Sequence, residues 1–144
     1  MQRPASRAVP NTLPHPLTRF IGREREVAAV QELLATRRLV TLTGLGGSGK
    51  TRLAIEAGRA LIGTHSAGSP AAGFTPARGA WLVELAALAD PNRVAERVAA
   101  ALRITPTPDR PLIELLIESL RDAPALILLD NCEHLLESCA RIAE

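Results

Sequence analysis

Gly44-Leu45-Gly46-Gly47-Ser48-Gly49-Lys50-Thr51 decides how this chain of 144 residues is read. The run matches G-x-x-x-x-G-K-[ST], a spacing that cradles phosphates. Its glycines let successive backbone N–H groups turn inward as a nest for anionic oxygens. The helix expected after it presents its N-terminus to the same oxygens. Lys50 is the one lysine among 17 basic residues, all the others being arginine. A compact, strongly hydrated ammonium has thus been kept at one place only. Lys50 is placed to reach the β- and γ-phosphates of a nucleotide, and the Thr51 hydroxyl to hold Mg²⁺. The expected contacts run from Gly44 through Leu45, Gly46, Gly47, Ser48, Gly49, Lys50 and Thr51 to Arg52. The bland alternative is a glycine-rich turn with a stray lysine.

The flanks favour the first reading. Residues 38–43 are apolar and β-branched, as suits a strand buried on both faces. After the loop, Leu53, Ala54, Ala57, Ala60 and Leu61 recur at helical spacing, with Gly63 expected to end the helix. Strand, glycine loop and helix come in the order the motif requires. A second acid is then needed near the phosphates. Residues 125–129 form a continuous apolar run ending in Asp130, and ligands of open α/β sheets bind at that edge. Asp130 fits the role of an acid that holds Mg²⁺ directly or through water; its alternative is to cap the last helix. Asn131 follows it and cannot take a proton, so hydrolysis is expected to be slow at best. Glu133 is the candidate to orient an attacking water, or else an exposed first-turn glutamate. His134 reads as surface or packing, and Glu84, His15 and His65 have no partner in sequence.

Composition narrows the classes. Apolar residues make up 47% and aromatics 2%, so the core must be Leu, Val, Ile and Ala. A formal charge of +2 gives no electrostatic case for direct nucleic acid contact or for a membrane surface. Residues 1–20 lack the apolar stretch of a signal peptide, and no run approaches the roughly eighteen residues of a membrane helix. A cytoplasmic location is expected. Cys132 and Cys139, if both on one helix, lie about 10 Å apart along its axis, too far for a disulfide. Buried thiols are the favoured reading, with metal or redox roles as the alternative.

Residues 1–18 carry four prolines without periodicity and read as a flexible leader. Residues 19–144 then read as the N-terminal part of one domain. A helix is expected over residues 22–36, with Glu24 and Glu26 in its first turn. Residues 63–79 look like a surface loop rich in Gly, Ala, Ser and Pro. A second strand is expected over residues 80–86. Asp90-Pro91 then caps a helix carrying Val94 and Val98. Asp109 is expected to cap another, with Leu112, Leu116 and Leu120 on one face. The last helix is expected over residues 132–144. The alternation predicts an α/β fold: the three-layer P-loop NTPase fold, with a parallel sheet between helices and incomplete at its C-terminus.

Three segments together resemble a family. Leu17-Thr18-Arg19-Phe20-Ile21-Gly22-Arg23-Glu24 is similar to the "hhGRE" opening motif of STAND-class signalling ATPases. Leu128-Leu129-Asp130-Asn131-Cys132-Glu133-His134-Leu135 resembles the acidic-strand segment of one bacterial branch, the LuxR-type and AfsR-like transcriptional regulators with an NB-ARC-like ATPase domain. Trp81-Leu82-Val83-Glu84-Leu85, followed by Ala89-Asp90-Pro91, is similar to the same branch. The resemblance implies that Ile21, Gly22 and Arg23 lie against adenine and that Asp130 completes the metal site. It implies an ATP/ADP switch in which exchange of ADP for ATP permits self-association. Output would pass to helical-repeat and helix-turn-helix domains downstream. In the family, a further strand lies between the strand before the phosphate loop and the Asp130 strand. Without it those two would leave a gap or pair directly. On that comparison the chain reads as the N-terminal part of a longer protein.

Other readings use the same loop. A small-molecule kinase fragment shares it, but should carry an acceptor site and an arginine-rich lid, and Arg103, Arg110 and Arg121 are scattered. A GTPase needs an Asn-Lys-x-Asp reader, which one lysine cannot supply. A module that binds no nucleotide unaided is the third.

Overall fold

Two short apolar runs lie side by side. Gly79–Glu84 (β1) and Ala125–Asp130 (β2) pair in parallel, Trp81 opposite Ile127 and Glu84 opposite Asp130. The computed structural model describes residues 9–66 and 74–144. Residues 1–8 of the leader, residues 67–73 of the expected surface loop and the side chain of His65 lie outside the described residues. Among the described residues, five α-helices pack around the sheet: α1 (Glu24–Thr36), α2 (Lys50–Ser66), α3 (Val94–Ala101), α4 (Leu112–Asp122) and α5 (Leu136–Ala143). The chain is a mixed α/β fold around this two-stranded parallel sheet. No helix among the described residues is long and apolar enough to cross a membrane.

Strand alternation sends side chains to opposite faces. Trp81 and Val83 of β1, with Ile127 and Leu129 of β2, pack with Val94 and Val98 of α3, Leu116 of α4 and Cys139 of α5. Ala80, Leu82, Leu126 and Leu128 instead meet Ile55 and Leu61 of α2. Helix α1 adds Val30 against Leu53 and Ala57 of α2. The crossover from β1 to β2 runs through a short 3₁₀ turn, Pro91–Arg93, and then α3 and α4. That turn is capped as expected, the Asp90 carboxylate accepting from the Asn92 N–H at 2.9 Å.

The expected strand over residues 38–43 is not formed: the segment carries no regular secondary structure. A strand needs a partner for its backbone groups. Here a cavity of about 1110 Å³, lined by Leu39, Leu42, Leu126 and Leu128 among others, separates the segment from β2. The two therefore leave a gap rather than pair. For the same reason β2 is mostly half-buried instead of covered all round.

Four smaller expectations are also corrected. Gly63 does not end α2, which runs to Ser66. A helical glycine costs about 1 kcal/mol but stops a helix only where it takes up a left-handed conformation. Asp109 does not cap α4: Pro111 holds that place with φ −57° and no side-chain cap, so the helix starts at Leu112. The last helix begins at Leu136, four residues later than expected. Finally, residues 10–15 of the leader are docked. Thr12 donates to the Ala80 carbonyl at 3.0 Å, Ala80 donates to the Pro10 carbonyl at 3.1 Å, and Leu13 is 3% exposed. Gly79 permits that docking, since its φ is +108° and a Cβ there would collide with the Pro10 carbonyl oxygen.

Candidate functional site

The site forms where α2 begins. Lys50 is the first residue of that helix, and the N–H groups of a first turn have no partner within the helix. Gly49 precedes it at φ +81°, and a Cβ at that position would press on the Arg23 guanidinium at 3.2 Å. Only glycine takes up this conformation without strain. The Lys50 ammonium donates to the carbonyls of Gly44 at 2.9 Å and Leu45 at 3.0 Å, so it sits inside its own loop. Gly44, Leu45, Gly46, Gly47 and Ser48 are all exposed.

Thr51 and Asp130, separated by 79 positions in sequence, meet. The Thr51 hydroxyl donates to Asp130 Oδ1 at 2.8 Å. Asp130 reaches it because β2 ends there on the α2 side of the sheet. It does not cap the last helix, whose cap position is Leu135. Asn131, at φ +54°, turns the chain away directly afterwards. Among the described residues no group of three or more His, Cys, Asp or Glu forms a ready-made metal cage. Two adjacent hard oxygen donors are nonetheless what Mg²⁺ uses alongside ligand oxygens and water.

Arg23 ties the residues before α1 to the loop. Its Nη1 donates to the Ser48 carbonyl at 2.8 Å and its Nε to Glu26 at 3.1 Å. The Glu26 carboxyl is held below the usual carboxylate range by its own backbone hydrogen bond and by Arg23. Ile21 is 76% exposed beside Gly22, whose N–H donates to Glu24. Arg52 donates to Thr18 and Glu56. The expected ligand contact of Arg52 is not what the structure shows: three of its five donors are held by protein groups away from the phosphate loop.

Glu133 is exposed, in a turn before α5 and not in a helical first turn. His134 Nε2 lies 2.8 Å from the Leu88 carbonyl. A carbonyl only accepts, so that nitrogen carries the proton and the ring holds two segments together. Glu84 has no partner near it in sequence, yet it stands opposite Asp130 at the end of the neighbouring strand and is exposed. Aligning the ends of the two apolar runs brings the acids together; reading each run alone does not.

The two cysteines are also closer than a single helix allows. Cys132 precedes α5 and packs against the cluster that holds Cys139. Both thiols are free. Burial, and then the Cys132 thiol beside it, push the Cys139 thiol up to about 11. The neutral form is the one the fold favours. Its contribution to stability is complete below the unfolded thiol's pKa of about 8.5 and is lost as pH rises toward 11. Alkylation of Cys139 by iodoacetamide at pH 7.5 is expected to run roughly a hundredfold below that of an ordinary thiol, and to quicken with pH. Labelling at the ordinary rate would show that this packing does not hold.

No family model matches the chain, and no solved structure matches it. Curated relatives do. Over 128 residues it is 39% identical to an uncharacterized protein of Mycobacterium tuberculosis and to one of Mycobacterium bovis. That stretch is 89% of this chain and 30% of each relative. Over 113 residues it is 36% identical to a protein of M. tuberculosis named as a candidate HTH-type transcriptional regulator, covering 78% of this chain and 11% of that protein. The chain thus spans less than a third of the length of these relatives.

Proposed function

We propose that this chain is the adenine-nucleotide-binding part of a regulatory switch, an NB-ARC-like ATPase of the STAND class built on the three-layer P-loop NTPase fold. The observation that carries the proposal is the Thr51–Asp130 hydrogen bond at 2.8 Å. It brings the hydroxyl that follows Lys50 against the acid at the end of β2, as a Mg²⁺–nucleotide site requires. Lys50 would leave the Gly44 and Leu45 carbonyls for the β- and γ-phosphate oxygens. The first-turn N–H groups of α2 would take the remaining oxygens. Ile21, exposed two residues before the Arg23 that contacts the loop, would supply apolar surface for the base. Thr51 and Asp130 would hold Mg²⁺, which when bound neutralises phosphate charge. Asn131 cannot accept a proton and Glu133 is not held in place, which favours exchange or slow turnover over rapid hydrolysis. The HTH-type regulator among the relatives supports a regulatory output outside this segment, in cytoplasmic signalling.

The test is calorimetric titration of the chain with ADP and Mg·ATP, paired with thermal melts. Ligand at a hundred times its Kd should add about 2.7 kcal/mol of stability. No heat and no shift with either nucleotide would remove the proposal. Asp130→Asn keeps an oxygen for the Thr51 hydroxyl while removing the charge. It should cut the gain that Mg²⁺ gives to ATP binding about tenfold and leave ADP affinity in EDTA unchanged. Equal losses under both conditions would assign Asp130 a structural task instead.

A further inference from the structure

Arg52 follows directly on Lys50 and Thr51, and its guanidinium is engaged by the segment that leads into the site. Nε donates to Glu56 at 2.8 Å, Nη1 to the Thr18 hydroxyl at 3.3 Å, and Nη2 to the Thr18 carbonyl. The Phe20 ring lies 5.5 Å from Cζ, within cation–π range. One side chain therefore holds both Thr18 and the ring directly before Ile21-Gly22. Arg59 lies two turns further along the same helix. It donates to the Pro14 carbonyl at 3.2 Å and lies 2.7 Å from His15 Nδ1. From the other end, Arg23 reaches the Ser48 carbonyl. Residues 14–23 are thus strapped along α2 toward its N-terminus, and Arg52 is the fastening on α2 nearest the phosphate loop.

We infer that Arg52 is a positioning residue for the nucleoside half of the ligand. It sets how far the Ile21-Gly22 wall stands from the loop, and so whether the site grips a base or phosphates alone. This rests on the nucleotide reading proposed above. The loop and the N-terminus of α2 locate the phosphates by themselves. The base lies at the other end of a ligand of fixed length, so its wall must be held at a fixed place. Arg52 does this with a planar fork that pairs and stacks at once, which a lysine ammonium does not reproduce.

The test titrates Mg·ADP, Mg·GDP and Mg·pyrophosphate against the intact chain and its Arg52→Ala, Arg52→Lys and Phe20→Leu variants. Arg52→Ala should lower ADP affinity about tenfold, hold pyrophosphate affinity within about twofold, and narrow the preference for ADP over GDP. Arg52→Lys should follow Arg52→Ala. Phe20→Leu, which keeps apolar bulk but loses the ring face, should lose ADP affinity by a smaller factor and leave pyrophosphate unchanged. It carries the same comparison if Arg52→Ala melts too low to titrate. A parallel fall in ADP and pyrophosphate affinity would overturn the inference, as would undiminished ADP affinity. A parent chain that takes none of the three ligands would remove the nucleotide reading itself, and this inference with it.

Discussion

Replacing Lys50 by alanine is expected to lower ADP and Mg·ATP affinity by roughly a hundredfold or more and to leave the far-UV circular dichroism unchanged. The ammonium now donates to two carbonyls of its own loop, Gly44 and Leu45. Both acceptors are exposed, so losing the donor exposes them to water at little cost to the fold. With phosphates in the loop the balance differs. Hydrogen bonds to charged groups contribute roughly 1.5–3 kcal/mol each, and two of them amount to at least about a hundredfold in affinity. No other lysine can stand in, and Arg23 and Arg52 are already held by Ser48 and Thr18. Isothermal calorimetry reads the loss directly. Retained affinity would mean that Lys50 only stiffens a turn.

Truncating Leu85 to alanine is expected to cost roughly 2–5 kcal/mol of folding stability, measured by urea denaturation. Leu85 is 0% exposed and sits just after β1, in the cluster with Val94, Val98, Leu102 and Leu135. Its N–H also donates to the Asp130 carbonyl at 3.0 Å, so the cavity would open beside the strand that carries the acid. With two aromatic residues in a hundred, the core holds few side chains large enough to swing into the space. A cost under about 1 kcal/mol would show that α3 collapses onto the sheet.

Local signals in the sequence account for most of the geometry of the candidate site. Lys50, Thr51 and the helix after them follow from glycine spacing and apolar periodicity, both short-range. Asp130 was legible because a continuous apolar run ending in an acid is itself a local pattern. Its contact with Thr51 follows from the parallel order of the elements. Other features depend on contacts far apart in sequence. Residues 38–43 have the composition of a strand, but a strand forms only against a neighbour, and the cavity stands where that neighbour would lie. Glu84 gains its place beside Asp130 from sheet register. Leu13 looked like part of a solvated proline-rich stretch because nothing near it in sequence reveals the Ala80 edge on which residues 10–12 dock. Apolar spacing alone puts Cys132 on the last helix, whereas α5 begins only at Leu136, after the left-handed turn at Asn131.

The docking of Pro10 and Thr12 on β1 also gives the sheet a direction. On one flank, the backbone donor and acceptor of Ala80 are satisfied by those residues and the N–H of Leu82 by the Thr12 hydroxyl. On the other, β2 lines the apolar cavity. The β1 flank is thus sealed by chain, and the β2 flank is bordered by apolar side chains around the cavity. The asymmetry comes from Pro10 and Thr12, so altering them would change which side of the sheet is sealed as well as how stable it is.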